Sequence, residues 1–531
     1  MPGKRSRFLN GNYLLLLIIL FFALLFSCQK DPVTLPPGFK LKFSADTVFF
    51  DTVFTSLGST TKSFTVHNTS NQRIAISSIR LAGGEASFYR MNVDGMPGFE
   101  IRDMEIAAKD SMYIFLRVTI DPDDQNSPFI VKDSIVFDIG GRFQDVKLVS
   151  WGQNANYILA DTYIPGFPKF KIVANEFETV TWTADRPYVI YGYAVVDSNG
   201  LLQIERGANI HFHNNSGLWI YKGGTLKVRG TVDAPVSFQG DRLEPFYADL
   251  PGQWDRIWIN EGSIDNEIDH AVIRNGFIGL QLETLQQQMG NQLILSNTRI
   301  ENMTGFGILT RFYNLTAYNT VVVNCGQYLA AFTWGGHYDI RHCTFANYWS
   351  YSVRVTPSIV LNNYFIDEDE NVYAFEFQGY FGNSILYGRN EEELLLLGES
   401  SAPFNYKFDH CLLQTTLDVS DPDLYPGLIH NTNPMFLDYL AGDFSLDTLS
   451  PLIDAGNPDV IQQSLYDLRR DILENPRSEQ VPDLGAYEFI HPEYLIKFAK
   501  YPRNHEISLP TRRNPADLIR RPVTGRLPQP Q

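Results

Sequence analysis

His270-Ala-Val-Ile-Arg-Asn275, Asn297-Thr-Arg-Ile-Glu-Asn302, Asn319-Thr-Val-Val-Val-Asn324 and His342-Cys-Thr-Phe-Ala-Asn347 are four versions of one six-residue phrase. Asn362-Asn-Tyr-Phe-Ile-Asp367, Asn383-Ser-Ile-Leu-Tyr-Gly388 and His410-Cys-Leu-Leu-Gln-Thr415 continue it. The first positions are 27, 22, 23, 20, 21 and 27 residues apart. A period near 22, with one short strand between polar turn residues, describes coils stacked along one axis, because a single coil cannot bury its own inner face. The phrase predicts a parallel β-helix. The two long intervals predict loops at Glu283–Gly290 and Glu391–Ala402, projecting where function is readily grafted.

The phrase closes on Asn275, Asn302, Asn324 and Asn347. Asparagine tolerates left-handed backbone, and its amide can bond the copy one coil away, so these four predict a structural ladder within a turn. Cys343 and Cys411 share the second position. With two coils counted between them, at ~4.8 Å per coil, they are too far apart to bridge and are expected as small residues of an inner stack.

Upstream, Leu202-Gln-Ile-Glu, Asn209-Ile-His-Phe, Leu218-Trp-Ile-Tyr, Thr225-Leu-Lys-Val and Val236-Ser-Phe read as further coils. The pattern Ile204-Glu-x-Gly207-Ala-x-Ile210, then Gly224-x-Leu226-x-Val228-x-Gly230-Thr231, resembles the opening coils of right-handed β-helix proteins. Asp454-Ala-Gly456-Asn457-Pro458, Asp467-x-Arg469, Pro476-Arg477 and Pro482-Asp483-Leu-Gly485-Ala-Tyr487-Glu488 resemble the C-terminal segment of bacterial surface β-helix proteins of the pectate-lyase-like superfamily. The resemblance covers roughly residues 190–490 and implies a β-helix over 157–430, closed over its last coil by residues 431–490. Its motifs specify fold, not chemistry. Residues 491–531 are basic and Pro-rich, the composition of a disordered tail.

Between Leu41 and Asn156 polar and apolar residues alternate, as in Ser111-Met-Tyr-Ile-Phe-Leu-Arg-Val118, with turn-rich breaks between such runs. Short alternating strands at this spacing predict an Ig-like β-sandwich over 41–156, and the segment resembles the Ig-like modules of bacterial surface proteins. The fold class expected is all-β: the sandwich, then a right-handed parallel β-helix.

At the start, Lys4, Arg5 and Arg7 precede the apolar run Leu14–Phe26, as in a secretory signal peptide over residues 1–27. Leu25-Phe-Ser-Cys28 resembles the lipobox of bacterial lipoproteins, which implies a lipid on Cys28 and outer-membrane anchoring. Gln29-Lys-Asp31 resembles the Bacteroidetes lipoprotein export signal, implying the cell surface, and 28–40 reads as a tether. A net charge of −17 argues against a nucleic-acid partner.

Because the fold hosts many functions, function must come from a site. His211 and His213 lie two apart on one strand, as two metal ligands do, with Glu205 as a third. The acidic runs Asp367-Glu-Asp369-Glu370 and Glu391-Glu392-Glu393 are candidates for Ca²⁺. The lyase resemblance implies that such a Ca²⁺ neutralises a uronate while Arg354 or Arg389 removes its proton. Asp265 and Asp269 are a candidate hydrolytic pair. Trp334, Tyr338, Trp349 and Tyr351 are candidates to stack on sugar rings; Phe332, His337, Tyr348, Trp254 and Trp258 belong to the same ring-rich coils.

The expectation is a surface lipoprotein, non-catalytic, binding glycan or an envelope protein. A pectate-lyase-like polysaccharide lyase or hydrolase is the alternative, and an inert stalk the third. An enzyme requires acids from two or more coils converging beside Arg or Lys in one groove. A binding protein requires an exposed aromatic row, and a stalk requires neither.

Overall fold

The computed structural model describes residues 38–55, 58–120, 129–284 and 292–490. The signal peptide, Cys28, most of the tether, the basic tail and most of the first inserted loop lie outside them. Contacts divide the chain into two compact units. One is made of the described residues up to Tyr157, with Asp185–Val189 and Asp241–Leu250; the other holds the rest.

The first unit contains two five-stranded sheets. One orders Lys42–Phe43, Lys62–His67, Ser111–Val118, Tyr89–Val93 and Met96–Gly98, all antiparallel. The other orders Thr47–Phe54, Arg142–Gln153, Phe129–Ile139, Ile74–Leu81 and Glu100–Ile106, of which only the first pair runs parallel. The alternation read from sequence is the burial pattern: Met112, Ile114, Leu116 and Val118 are in the core, and Tyr113 and Phe115 face water. This is an Ig-like sandwich.

The second unit is a parallel β-helix with three faces. On the second face Thr179–Trp182, Leu201–Glu205, Thr225–Arg229, Asn266–Asp269 and Leu293–Ser296 stack in parallel register. The second halves of Phe306–Tyr318 and Tyr328–Arg341 follow, then Phe377–Gly382 and Phe404–Asp409. The first face begins with Phe170–Ala174 and ends with Leu394–Leu397. The third carries the six-residue phrase, from Ala271–Arg274 through Val321–Val323 and Thr344–Asn347 to Ile429–His430. Successive strands visit the faces in the order first, second, third. Phe306–Tyr318 and Tyr328–Arg341 run unbroken across one corner, bending at Phe312 (φ 52°) and Trp334 (φ 65°).

The repeat is real but holds one phrase fewer. His270, Asn297, Asn319, His342, Asn383 and His410 all take left-handed backbone, φ 47–49°, at the turn from the second face to the third. Asn362 does not belong to this series. It ends the first-face strand Ile359–Asn362, and Tyr364–Ile366 pairs antiparallel with Val372–Ala374 as an inserted hairpin. One coil plus a hairpin mimicked two coils. One coil, that of Ser384, therefore separates Cys343 from Cys411; both thiols are buried and free.

The asparagine ladder is also displaced. Asn275, Asn302 and Asn324 are left-handed turn residues, whereas Asn347 is not; its Nδ2 donates to the Cys325 carbonyl (3.1 Å). Amide bonds between coils run instead at the opening position. Asn297 donates to Asp269 (2.8 Å), Asn319 to Asn297 (3.1 Å), and Asn383 contacts His342 Nε2 (3.1 Å). The opening side chains bond side chains of a neighbouring coil along the axis, whereas the closing Asn324 and Asn347 bond the backbone of a neighbouring coil.

Residues 431–490 do more than end the helix; they run back along the outside of the third face. Arg299 donates to the Gly442 carbonyl, Arg477 to Asn319, and Ala486 N to Thr344. Phe436, Phe444, Leu452 and Leu484 pack on Val321, Val323, Ala346 and Ile385. That strap explains why third-face strands are apolar on both sides. The end of the second face is capped separately, by Phe408 and His410 donating to the carbonyls of Leu424 and Pro426.

Candidate functional site

Four neighbouring strands of the second face form a groove of about 510 Å³. Leu315, Tyr338 and Phe381 point inward and are buried, so the alternate residues point out. One outward column is Asn314, His337, Gln378 and Asn405. The next is Thr316, Asp339, Tyr380 and Lys407, and the third is Tyr318, Arg341, Gly382 and Asp409. Strand pairing fixes about 4.8 Å between successive members. The inserted hairpin anchors beside one corner, where Phe365 packs on Trp334 and Phe375 on Phe312. The strap anchors beside the other, with Tyr466 on Tyr318 and the Val460 carbonyl accepting from Arg341.

Asp339, Tyr380 and Lys407 line the groove, and their charged partners Arg341 and Asp409 lie beside it in the third column. Arg341 Nε meets Asp339 Oδ1 at 2.7 Å, with the guanidinium 5.0 Å from the Tyr380 ring centre. Tyr380 donates to Asp409 Oδ2 (3.2 Å), and Lys407 Nζ lies 3.7 Å from the same oxygen. His410 Nδ1 and Asn457 Nδ2 meet Asp409 Oδ1 at 2.7 and 3.2 Å. Burial of Asp409 opposes ionisation, but these bonds and the Lys407 charge outweigh it and hold its carboxyl below the ordinary range. Burial first, then the Asp409 charge, pushes the Tyr380 hydroxyl up, so it stays protonated and donates. Asp269 pairs with His270 Nδ1 (2.9 Å) five coils earlier, so the Asp–His contact is a recurrent device of this turn. The arrangement presents donors and acceptors across four coils, with two acids on strands flanking Tyr380.

The residues singled out from sequence lie elsewhere, with Tyr338 and His337 the exceptions. His211 is buried, with Nδ1 3.0 Å from the Gly240 carbonyl; His213 stacks on Tyr191, and Glu205 is exposed on the second face. Among the described residues no His, Cys, Asp and Glu cluster fits a metal ion. Asp367 caps the hairpin turn: Oδ1 accepts from Asp369 N and Asn371 N, and Oδ2 from Asn371 Nδ2. Asp471 and Asn475 build the same turn without an acidic run, so the carboxylate serves the backbone there.

The Glu391–Glu393 run is divided three ways. Glu391 is exposed, Glu392 accepts from Thr415 and Thr416, and Glu393 is fully buried. Glu393 is held by Arg354 through two bonds (2.8 and 2.5 Å) and by Ser358. Arg354 is thus spent in a buried ion pair and is no base; Arg389 is exposed outside the groove. Asp265 is a left-handed residue just before the strand Asn266–Asp269, and Asp269 is taken up by Ser296, Asn297 and His270.

The aromatic row does not form. Tyr338 is an inward residue bonded to Thr310 and Gly335, and Trp349 is buried against Ser352. Trp334 packs on the hairpin, leaving Tyr351, half exposed, alone of the four. Asp339, Arg341, Tyr380, Lys407 and Asp409 all precede the six-residue phrase and form no contiguous motif of their own. Stepping back five residues from Asn319, His342, Asn383 and His410 gives Asn314-x-Thr-x-Tyr, His337-x-Asp-x-Arg, Gln378-x-Tyr-x-Gly and Asn405-x-Lys-x-Asp. Those are the outward columns.

No protein-family model matches the chain, and no curated protein matches it. Solved structures similar to parts of it include a family 123 glycoside hydrolase from Clostridium perfringens, at 7% identity and TM-score 0.16, over 22% of this chain and 27% of that one. A protein of unknown function from Porphyromonas gingivalis matches at 12% and 0.16, over 25% and 58%. The catalytic unit of a GH87 α-1,3-glucanase from Streptomyces thermodiastaticus matches at 10% and 0.18, over 70% and 89%. The chain spans about a quarter of the first of these and just over half of the second. Scores this low carry no argument about function, so the fold rests on strand order and the site on its geometry.

Proposed function

We propose that this chain is a lipid-anchored surface protein whose β-helix engages an extended glycan along the second face. The observation carrying the proposal is the set of outward amide, hydroxyl and charged columns repeated on four coils. A polymer lying along the axis meets equivalent groups at each step of about 4.8 Å, a spacing of the order of one sugar ring. Support for the anchor comes from the lipobox-like Leu25–Cys28 and from Gln29-Lys-Asp31.

A second reading, cleavage of the bound chain, is favoured by one specific feature. Asp339 and Asp409 come from two strands flanking Tyr380 and lie beside Arg341 and Lys407, which is the convergence an enzyme requires. Hydrolysis would add water across the glycosidic bond: Asp339, the more exposed carboxylate, would draw a proton from the attacking water, the leaving oxygen would take one from solvent, and Tyr380 would hold Asp409 in place.

The test is incubation with a polysaccharide panel, reading retention, new reducing ends and unsaturated uronate absorbance. Retention without product supports binding. Product lost in Tyr380→Phe and in Asp409→Asn establishes cleavage. Neither retention nor product leaves the stalk.

A further inference from the structure

We infer that the glycan taken by this groove is neutral rather than a polyuronate. The inference rests on the glycan reading of the second face and names the class of polymer that its charges admit. An anionic chain presents a carboxylate at successive sugars, and each needs a cation not already spent. Arg341 is held from three sides: by Asp339 (2.7 Å), by the Val460 carbonyl (2.8 Å) and by the face of Tyr380. Lys407 has Asp409. Further along the same face Lys227 and Arg229 share Glu267, at 3.8 and 2.9 Å.

A uronate would therefore have to displace a fixed carboxylate, and would meet Asp339 and Asp409 as like charges. The net charge of −17 adds repulsion at longer range. Neutral sugars meet no such cost. Gln378, whose Nε2 also donates to Glu376, and Asn405 each carry two N–H donors and a carbonyl acceptor, and Thr316 carries a hydroxyl. These groups match rings whose every hydroxyl both donates and accepts.

The test uses the full chain in detergent micelles with four probes: a soluble β-glucan, a mannan, polygalacturonate and alginate. Retention is compared at about 50 and about 500 mM NaCl, which separates screened from unscreened contacts. The expected result is retention on at least one neutral polymer, changing less than about twofold with salt. The double variant Gln378→Ala/Asn405→Ala, altered at surface positions, is expected to lose about tenfold of it or more. Asp339→Asn releases Arg341 and is expected to gain salt-sensitive retention on polygalacturonate.

Retention of the unaltered protein on polygalacturonate, abolished by the double variant, would overturn the neutral class while leaving a glycan groove. Retention on no polymer would overturn the glycan reading and this inference with it. Neutral retention indifferent to the double variant would place the site elsewhere and overturn the assignment to this groove.

Discussion

At the residue scale, the side chains most conspicuous in the sequence turn out to serve the fold. Arg354 and Glu393 form a buried pair whose Ser358 and Asn390 partners leave no room for chemistry. Arg354→Ala strands a buried carboxylate and is expected to cost about 3–5 kcal/mol in denaturant unfolding. A loss below about 1 kcal/mol would mean the pair is solvated and available. His211 gives a pH prediction. Burial holds its imidazole down to about 4, against the Gly240 bond. Its folded value lies below its unfolded one, so the stability it confers is full above about 6.5 and is lost as pH falls towards 4. The loss is on the order of 3 kcal/mol. His342, also buried and also lowered, adds in the same direction. Unfolding midpoints at neutral and acid pH should show a slope that His211→Gln flattens; an unchanged slope would show that His211 is not buried neutral.

At the scale of elements, the sequence was most legible where a side chain sets the backbone. Polar residues at the second-to-third-face turn recur because left-handed backbone suits them, and that periodicity announced the coils. The hairpin at Tyr364–Ala374 was illegible for the same reason: its Asn-rich entry imitates that turn, and periodicity does not distinguish an inserted strand from a stacked one. The groove was partly legible, as polar alternation five residues before each turn: its ion pairs, Asp339–Arg341 and Lys407–Asp409, join next-but-one residues of one strand, whereas the Tyr380–Asp409 bond joins two strands 29 residues apart. Which groups meet across coils, as Tyr380 and Asp409 do, is decided by stacking, which sequence spacing does not specify. The hairpin itself makes a prediction. Since Asp367 caps a turn that Asp471 also builds, Asp367→Ala is expected to cost about 1 kcal/mol, and millimolar Ca²⁺ to leave the melting temperature unchanged. A Ca²⁺-dependent rise that disappears in Asp367→Ala would restore the acidic run as a metal site.

At the scale of the β-helix unit, its outer third face is made apolar so that the strap can cover it, and the same strap reaches the groove through Asn457 and the Val460 carbonyl. Leu484 is fully buried between the strap and the coils. Leu484→Ala is expected to cost about 2–5 kcal/mol and to raise hydrogen exchange across Thr344–Asn347 and Ile385–Gly388. Stability unchanged by that substitution would mean the strap is not part of the cooperative unit. Whether a glycan lies on the second face is read out by hydrogen exchange of the full chain with and without whichever polysaccharide retains it. Protection is expected on the four groove strands, over residues 314–318, 337–341, 378–382 and 405–409. Protection confined to the first face or to the sandwich, with those strands unaltered, would contradict it.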